Sequence, residues 1–379
     1  MLFRSLRSLV RSGDGLDARF DMGLTKHLVI DAQARESDGG AIAGALGLPA
    51  NQAFGLIAKA DGVKSQGQFH LRASSGAQTP AVADGTWSPQ GGSARIALTL
   101  AASTLSASYA TQIGPRLDIA VRGRGAGGSL LSMGVALQAE NMTASAGGLV
   151  DRDRLTAPKG LHIEAMVRDL ARISKVPQMG GASFKGTLAG GLSDWRLAGA
   201  ATINKVGAYG YSLARIDGPV SLDRVKGELR LQAKMTGQGG AGQGLAAALA
   251  GAHPQASLQA SRLPDGRILL RSLSADGAGL SLTATGERNL FGGLNLKGAL
   301  RLSNLAAAQS GASGQIDAHW SASQARATTP WSLVLDAQGQ TLATGYDEAD
   351  HLLGSKPSLH VQADYGGGVI SVTKNNARA

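Results

Sequence analysis

Apolar residues recur at every second position along most of this chain. The clearest run is Leu229, Leu231, Ala233 and Met235, with Glu228, Arg230, Gln232 and Lys234 interleaved. Successive side chains of an extended strand point to opposite faces, so this spacing gives one apolar face and one charged face. The same period runs through Leu16, Ala18, Phe20 and Met22, then through Leu28, Ile30, Ala32 and Ala34. It returns at Ile96, Leu98 and Leu100, at Leu117, Ile119 and Val121, and at Leu280, Leu282 and Ala284. Ile316, Ala318, Trp320 and Ala322, then Trp331, Leu333, Leu335 and Ala337, then Leu359, Val361, Ala363 and Tyr365, complete the series. Asp-Gly steps ending at Gly39, Gly62, Gly266 and Gly277 mark turns between runs, because Asx-Gly pairs reach positive φ at low cost. Roughly twenty short strands joined this way predict an all-β, mostly antiparallel sheet, roughly 95 Å across at ~4.8 Å per strand.

Helical spacing is sparse. Residues 244–250 and 347–353 predict short helices, the second with acidic residues in its first turn. Residues 161–173 read either as strand throughout or as a strand followed by a helix. Residues 16–379 form one continuous architecture, with weak breaks at 147–160 and 237–244. Residues 1–15 stand apart. Arg4, Arg7 and Arg11 fit the basic start of a targeting peptide, but Ser12-Gly-Asp-Gly15 interrupts any apolar stretch. Leu2-Phe-Arg-Ser5 is also what a common sequencing-adapter stretch encodes, so this segment is expected to be an artificial start on a truncated gene.

The makeup of the apolar face decides where it goes. Aromatic residues are 4% of the chain, and the apolar set is mainly Ala, Leu, Val and Ile. A sheet with one apolar face either folds on itself as a sandwich or curls into a trough. Sandwich cores draw on bulky interdigitating side chains, so this composition favours the trough. Large bare apolar patches are rare on soluble proteins, and an open trough therefore calls for an apolar ligand such as lipid.

The remaining signals exclude more than they assign. The chain has no cysteine, which removes disulfides, Cys-ligated zinc and thiol catalysis. No apolar run approaches the ~18 residues of a membrane helix. The net charge of +10 fits an anionic partner such as lipid head groups or nucleic acid, and equally a plain basic surface. Gly123-Gly125-Gly128 and Gly237-Gly239-Gly242 match G-x-G-x-x-G, a chance event in a chain with 54 glycines. The seven histidines lack helical ligand spacing, and no G-x-S-x-G elbow occurs. The carboxylates of Asp151, Asp153, Asp347 and Asp350 fit a loop and a helix start. Asn141-Met-Thr143 matches a glycosylation sequon, a short pattern that is common by chance. Arg116, Arg122 and Arg124 are expected to cluster at one strand end, yet the aromatics that nucleic-acid binders interleave are scarce. No catalytic, cofactor or metal residue is expected, nor nucleic-acid binding.

Residues 184–199, Phe-Lys-Gly-Thr-Leu-Ala-Gly-Gly-Leu-Ser-Asp-Trp-Arg-Leu-Ala-Gly, resemble a recurring phrase of the TamB family within the AsmA-like group. Trp195 stands where that phrase has proline. Residues 237–242, 261–267 and 331–336 are similar to the same family, and the likeness is clearest over 184–345. The resemblance implies a taco-shaped sheet with a greasy interior, in the periplasm and anchored to the inner membrane by a helix. It implies phospholipid passage between inner and outer membranes, support of outer-membrane protein assembly, and a BamA-like barrel partner of the TamA type. The anchor helix and the family's closing domain are absent from this chain, which is expected to be a fragment. The residues expected to line the lipid are Ile119, Val121, Leu229, Leu231, Leu280, Leu282, Leu333 and Leu335. A structural β-solenoid or adhesin-like stalk with a dry core is the competing reading.

Overall fold

A computed structural model describes residues 2–9, 11–22, 27–174, 178–208, 210–303, 305–308, 311–366 and 368–378. It is an antiparallel, unclosed sheet of 24 strands with a few short helices, 67% strand and 9% helix, so the all-β expectation holds. The chain divides into two compact units, Met1–Lys175 with Leu188–Gly191, and Val176–Thr187 with Leu192–Ala379.

The first unit holds β1 (Leu2–Arg7), β2 (Gly15–Met22), β3 (His27–Glu36), β4 (Phe54–Val63), β5 (Gln66–Ser75) and β6 (Gln78–Ser88). It continues with β7 (Gly91–Thr99), β8 (Arg116–Gly125), β9 (Leu130–Ala139), β10 (Met142–Asp151) and β11 (Thr156–Val167). Each strand pairs with the next in antiparallel register, from Leu6 opposite Leu16 to Ala146 opposite Ile163. Residues 147–160 span the β10–β11 hairpin. Short helices fill connections at one end of the strands: α1 (Ala41–Ala45) after β3, a 3-10 turn (Leu100–Ala102) with α2 (Ala107–Ile113) after β7, and α3 (Ala171–Ser174) after β11. The opposite end has tight turns such as residues 64–65 and 89–90. Residues 161–173 thus contain both a strand and the start of a helix.

The compact core of this unit sits under α1. Ala43 and Leu48 close over Phe54, Ala73 and Ala102, with Leu56 and Ala81 packed against them. Five residues are too few to hold a helix by propensity. Both oxygens of the Glu36 carboxylate accept backbone N–H bonds, from Ile42 and Ala43 at 2.9 Å, and so satisfy two donors of its first turn.

The second unit holds β12 (Ala182–Gly191, shared with the first), β13 (Trp195–Ala208), β14 (Tyr211–Val225), β15 (Glu228–Gln238), the short β16 (Ala241–Gly242) and β17 (Gln255–Arg262). Then follow β18 (Ile268–Asp276), β19 (Leu280–Arg288), β20 (Gly292–Leu302), β21 (Ser313–Arg326), β22 (Trp331–Ala343), β23 (Ser358–Gly366) and β24 (Val369–Arg378). Helices α4 (Gly244–Ala250), α5 (Leu305–Ala308) and α6 (Asp347–Leu353) again lie at one end of the strands, and short turns at the other. α4 and α6 match the expected helices. Residues 237–244 carry the chain from β15 through β16.

One expected turn is not a turn. Asp61-Gly62 lies inside β4, and the reversal comes at residues 64–65. Asp61 is on the polar face, 3.4 Å from His27 across the strands. Gly62 stands opposite Gly67, where a Cβ would strike the Gln66 backbone, so this glycine serves a close approach of two strands. Gly39 and Gly266 do occupy turns, at φ 73° and 96°.

Candidate functional site

Register converts the period-two pattern into rows that cross the strands. In the first unit one row reads Ala18, Ala32, Ala58, Leu71, Ala83, Ile96, Ile119, Leu137, Ala144 and Ala165, from β2 to β11. The next row contains Phe69, Ala94, Val121 and Val135. In the second unit Leu222, Leu231 and Ala260 align across β14, β15 and β17. Farther along, Leu282 stands beside Ala275 and Leu300, and Leu280 beside Leu302. Leu333 lies between Ala322 and Ala363, and Leu335 between Trp320 and Val361. The eight expected lining residues therefore all fall on the apolar face, two in the first unit and six in the second. All eight are half-buried. Leu229 departs from the pattern, since its neighbours are Arg224 and Arg262 at the margin of the face.

The face is smooth because large residues sit beside small ones. A Cβ at Gly85 would meet the ring of Phe69, and one at Gly298 the ring of Trp320. Each ring lies over the glycine of the neighbouring strand, as aromatic side chains do when they cover a glycine gap in a sheet. Side chains laid flat cover their own sheet and offer little relief for a second layer to grip.

The large residues of these rows are half-buried, not enclosed. Among the described residues the extensive backbone contacts in each unit join adjacent strands or local helices. Among the described residues the buried apolar side chains are mostly alanines. The accessible surface is 22704 Å². A globular protein of 38.5 kDa exposes about 14,000 Å², and two independent globular halves about 17,000 Å². The excess marks a face that folding leaves open.

The other face carries charge. In the first unit an open cleft of 720 Å³ runs along β3 to β8, with Phe69, Ala94 and Val121 between its bordering residues Asp31, Lys59, His70, Asp84 and Arg95. These five are direct cross-strand neighbours, so opposite charges face one another along most of the ladder. His70 meets Asp84 at 2.6 Å, and His360 meets Asp336 at the same distance in the second unit. Glu228 accepts from Arg230 at 2.7 Å and from Arg271 at 2.9 Å, and these bonds with one from Ser261 hold its carboxyl down at about 2.

The groups weighed for chemistry have structural work. The Asp151 carboxylate accepts the N–H groups of Arg154 and Asp153 in a turn, which lowers its pKa. Asp350 accepts the Thr344 N–H, likewise lowering its pKa, in the acidic first turn of α6. Gly123 and Gly125 end β8 and run into a hairpin, and Gly237 to Gly242 precede a helix of seven residues. Asn141 of the sequon is buried and holds Asp169 and Gln112 by backbone bonds. Arg116 does not cluster with Arg122 and Arg124: it opens β8 while they close it, roughly 20 Å away at the rise of a strand. Among the described residues no His, Asp or Glu group is arranged to hold a metal ion, and no helix is long and apolar enough to cross a membrane.

The charged ladder and the Glu228 cluster escaped sequence reading. Alternation shows that Asp31, Lys59, His70, Asp84 and Arg95 lie on polar faces, but only register shows that they stand side by side. No protein-family model, curated protein or solved structure matches this chain.

Proposed function

We propose that the chain is a non-enzymatic, lipid-bearing part of a bacterial envelope protein similar to the TamB family. Phospholipid acyl chains lie along the apolar rows through Ile119 and Val121 in one unit, and through Leu231, Leu282, Leu333 and Leu335 in the other. In this reading the whole protein stands in the periplasm, anchored to the inner membrane, and moves phospholipid between inner and outer membranes. It also supports outer-membrane protein assembly with a barrel of the TamA type. One observation carries the reading: the large residues of the apolar rows are only half-buried, and the exposed surface exceeds that of a globular chain of this mass. Acyl chains supply the cover at about 25 cal/mol per Å² of apolar area removed from water. Rows without a distinctive polar contact let a chain slide, because no position is favoured.

All described strand pairings are antiparallel, which weighs against a solenoid of stacked parallel coils. The test is a photo-crosslinking residue placed in bacterial cells at Leu231 on the apolar face, with a control at the neighbouring Gln232 on the exposed polar face. Lipid adducts are expected at Leu231 and not at Gln232, and Leu231→Arg or Leu282→Arg is expected to abolish lipid occupancy. Equal labelling at both positions, or none in a folded protein, overturns the proposal.

A further inference from the structure

The turn end of the second unit differs from an ordinary set of hairpin tips. Its connections expose Leu192 (72%), Leu290 (61%), Phe291 (70%) and Val369 (62%). Tight turns need Gly, Asn, Asp or Ser, and nothing in their geometry asks for a Leu or Phe at the tip. At the corresponding end of the first unit the turns range from polar, as at Lys64-Ser65, to the exposed Leu155 (54%) before β11, without a run of apolar tips.

These tips form one continuous rim. The Lys226 N–H donates to Asp194 at 2.7 Å, tying the first turn to the second. Space beside Gly227 is bounded by Pro264, space beside Gly266 by Leu290, and space beside Gly366 by Pro330. The Ala327 N–H donates to the Phe291 carbonyl, and the Arg326 guanidinium lies 5.5 Å over the Phe291 ring.

The rim is basic on the side of the apolar face. The last cross-strand row before the turns reads Arg224, Leu229, Arg262, Ile268, Arg288 and Leu294. Among the described residues Arg262, Arg288 and the nearby Lys226 make no ion pair, whereas two turn carboxylates are engaged: Asp194 by Lys226 N–H and Asp265 by Arg267. The helical end of the same unit carries both signs, with Asp276, Asp347, Glu348 and Asp350 beside Lys205, Arg301, Lys356 and Arg378.

We infer that the turn end of the second unit docks on the surface of an anionic phospholipid bilayer. Leu192, Leu290, Phe291 and Val369 enter the interface, and Arg224, Arg262 and Arg288 meet phosphate groups at the border where the apolar rows begin. This combination of exposed apolar tips and unpaired cations is what an interfacial contact requires, since the apolar part sinks to the acyl boundary and the cations stay with the head groups. The arginine row borders the apolar face directly, so acyl chains leaving the bilayer pass between its arginines, over Leu229 and Ile268, to reach Leu231. The inference rests on the proposed lipid-bearing role for its purpose, and on the rim alone for its geometry.

The experiment is co-sedimentation of the purified chain with vesicles of phosphatidylcholine alone, or of phosphatidylcholine with phosphatidylglycerol. Binding is expected to the phosphatidylglycerol vesicles, weakened by salt, and reduced roughly tenfold by Leu290→Ser with Phe291→Ser and by the triple Arg224→Gln, Arg262→Gln, Arg288→Gln. Leu352→Ser at the helical end is expected to bind as the parent does. Unaltered circular dichroism shows that the variants fold, and Phe291→Trp gives a second readout through a blue shift and quenching by brominated lipid. Absence of vesicle binding, or binding untouched by the tip and arginine variants, overturns the inference. Capture of a protein partner by a rim that ignores vesicles also overturns it. Lipid adducts at Leu231 without vesicle binding would sink the docking surface and leave the lipid-bearing face standing, and the converse result would do the reverse.

Discussion

Glu228 gathers hydrogen bonds from two arginines and a serine. Arg230 lies on its own strand, Arg271 comes from β18, and Ser261 of β17 is buried between them. With Arg230 the larger influence, its carboxyl titrates at about 2 instead of 4.5. A depressed folded-state pKa adds stability above the unfolded value and loses it as pH falls through the folded one. The gap in melting temperature between the parent and Glu228→Gln is therefore expected to be constant above about pH 5 and to close between 4.5 and about 2. Thermal unfolding across that range checks it, and a gap independent of pH would mean that the arginines do not read the charge. Nothing in the sequence marks Glu228, because its partners lie on three strands and meet only through register. Leu231 is the opposite case. Its neighbours alternate in polarity on both sides, so its face was legible at once. Arg116 shows the limit of proximity in sequence, since six residues of strand carry it far from Arg122.

Among the elements, strands were legible and short helices only where they carry their own signals. α6 has acidic residues in its first turn and Gly354 at φ 64° after its last, and α4 ends on Gly251 at φ 71°. α1 has no charged residue of its own and depends on Glu36 of β3, so its spacing alone gave no warning. Yet α1 and the 3-10 turn provide the compact core of the first unit, over Phe54, which is 3% exposed. The two kinds of packing predict different costs. Phe54→Ala empties a roofed site and is expected to destabilise its unit by about 3–5 kcal/mol. Leu231→Ala acts on a face already half open to water, where less area is lost and no closed cavity forms, and is expected to cost about 1 kcal/mol. Chemical denaturation of both variants tests the contrast. Equal large losses would mean that Leu231 is covered by a layer that the sheet topology does not contain.

At the scale of the whole chain, the open face has a calorimetric consequence. An unfolded chain of 38.5 kDa exposes about 56,000 Å², so folding to 22704 Å² removes about 33,000 Å², against about 42,000 Å² for a globular protein of the same mass. The heat capacity of unfolding follows the area exposed, mainly the apolar part, and is ordinarily about 12–15 cal/mol/K per residue. Because the missing burial lies on apolar rows, the lipid-free chain is expected to fall at least about a fifth below that range. Differential scanning calorimetry measures it directly, summed over both units. Delipidation matters here, since acyl chains held on the rows leave with unfolding and restore the missing term. An ordinary value for the stripped chain would require a second layer over the apolar face, and would remove the physical need for a lipid. A low value that rises when phospholipid is returned would tie the open rows to the ligand that covers them.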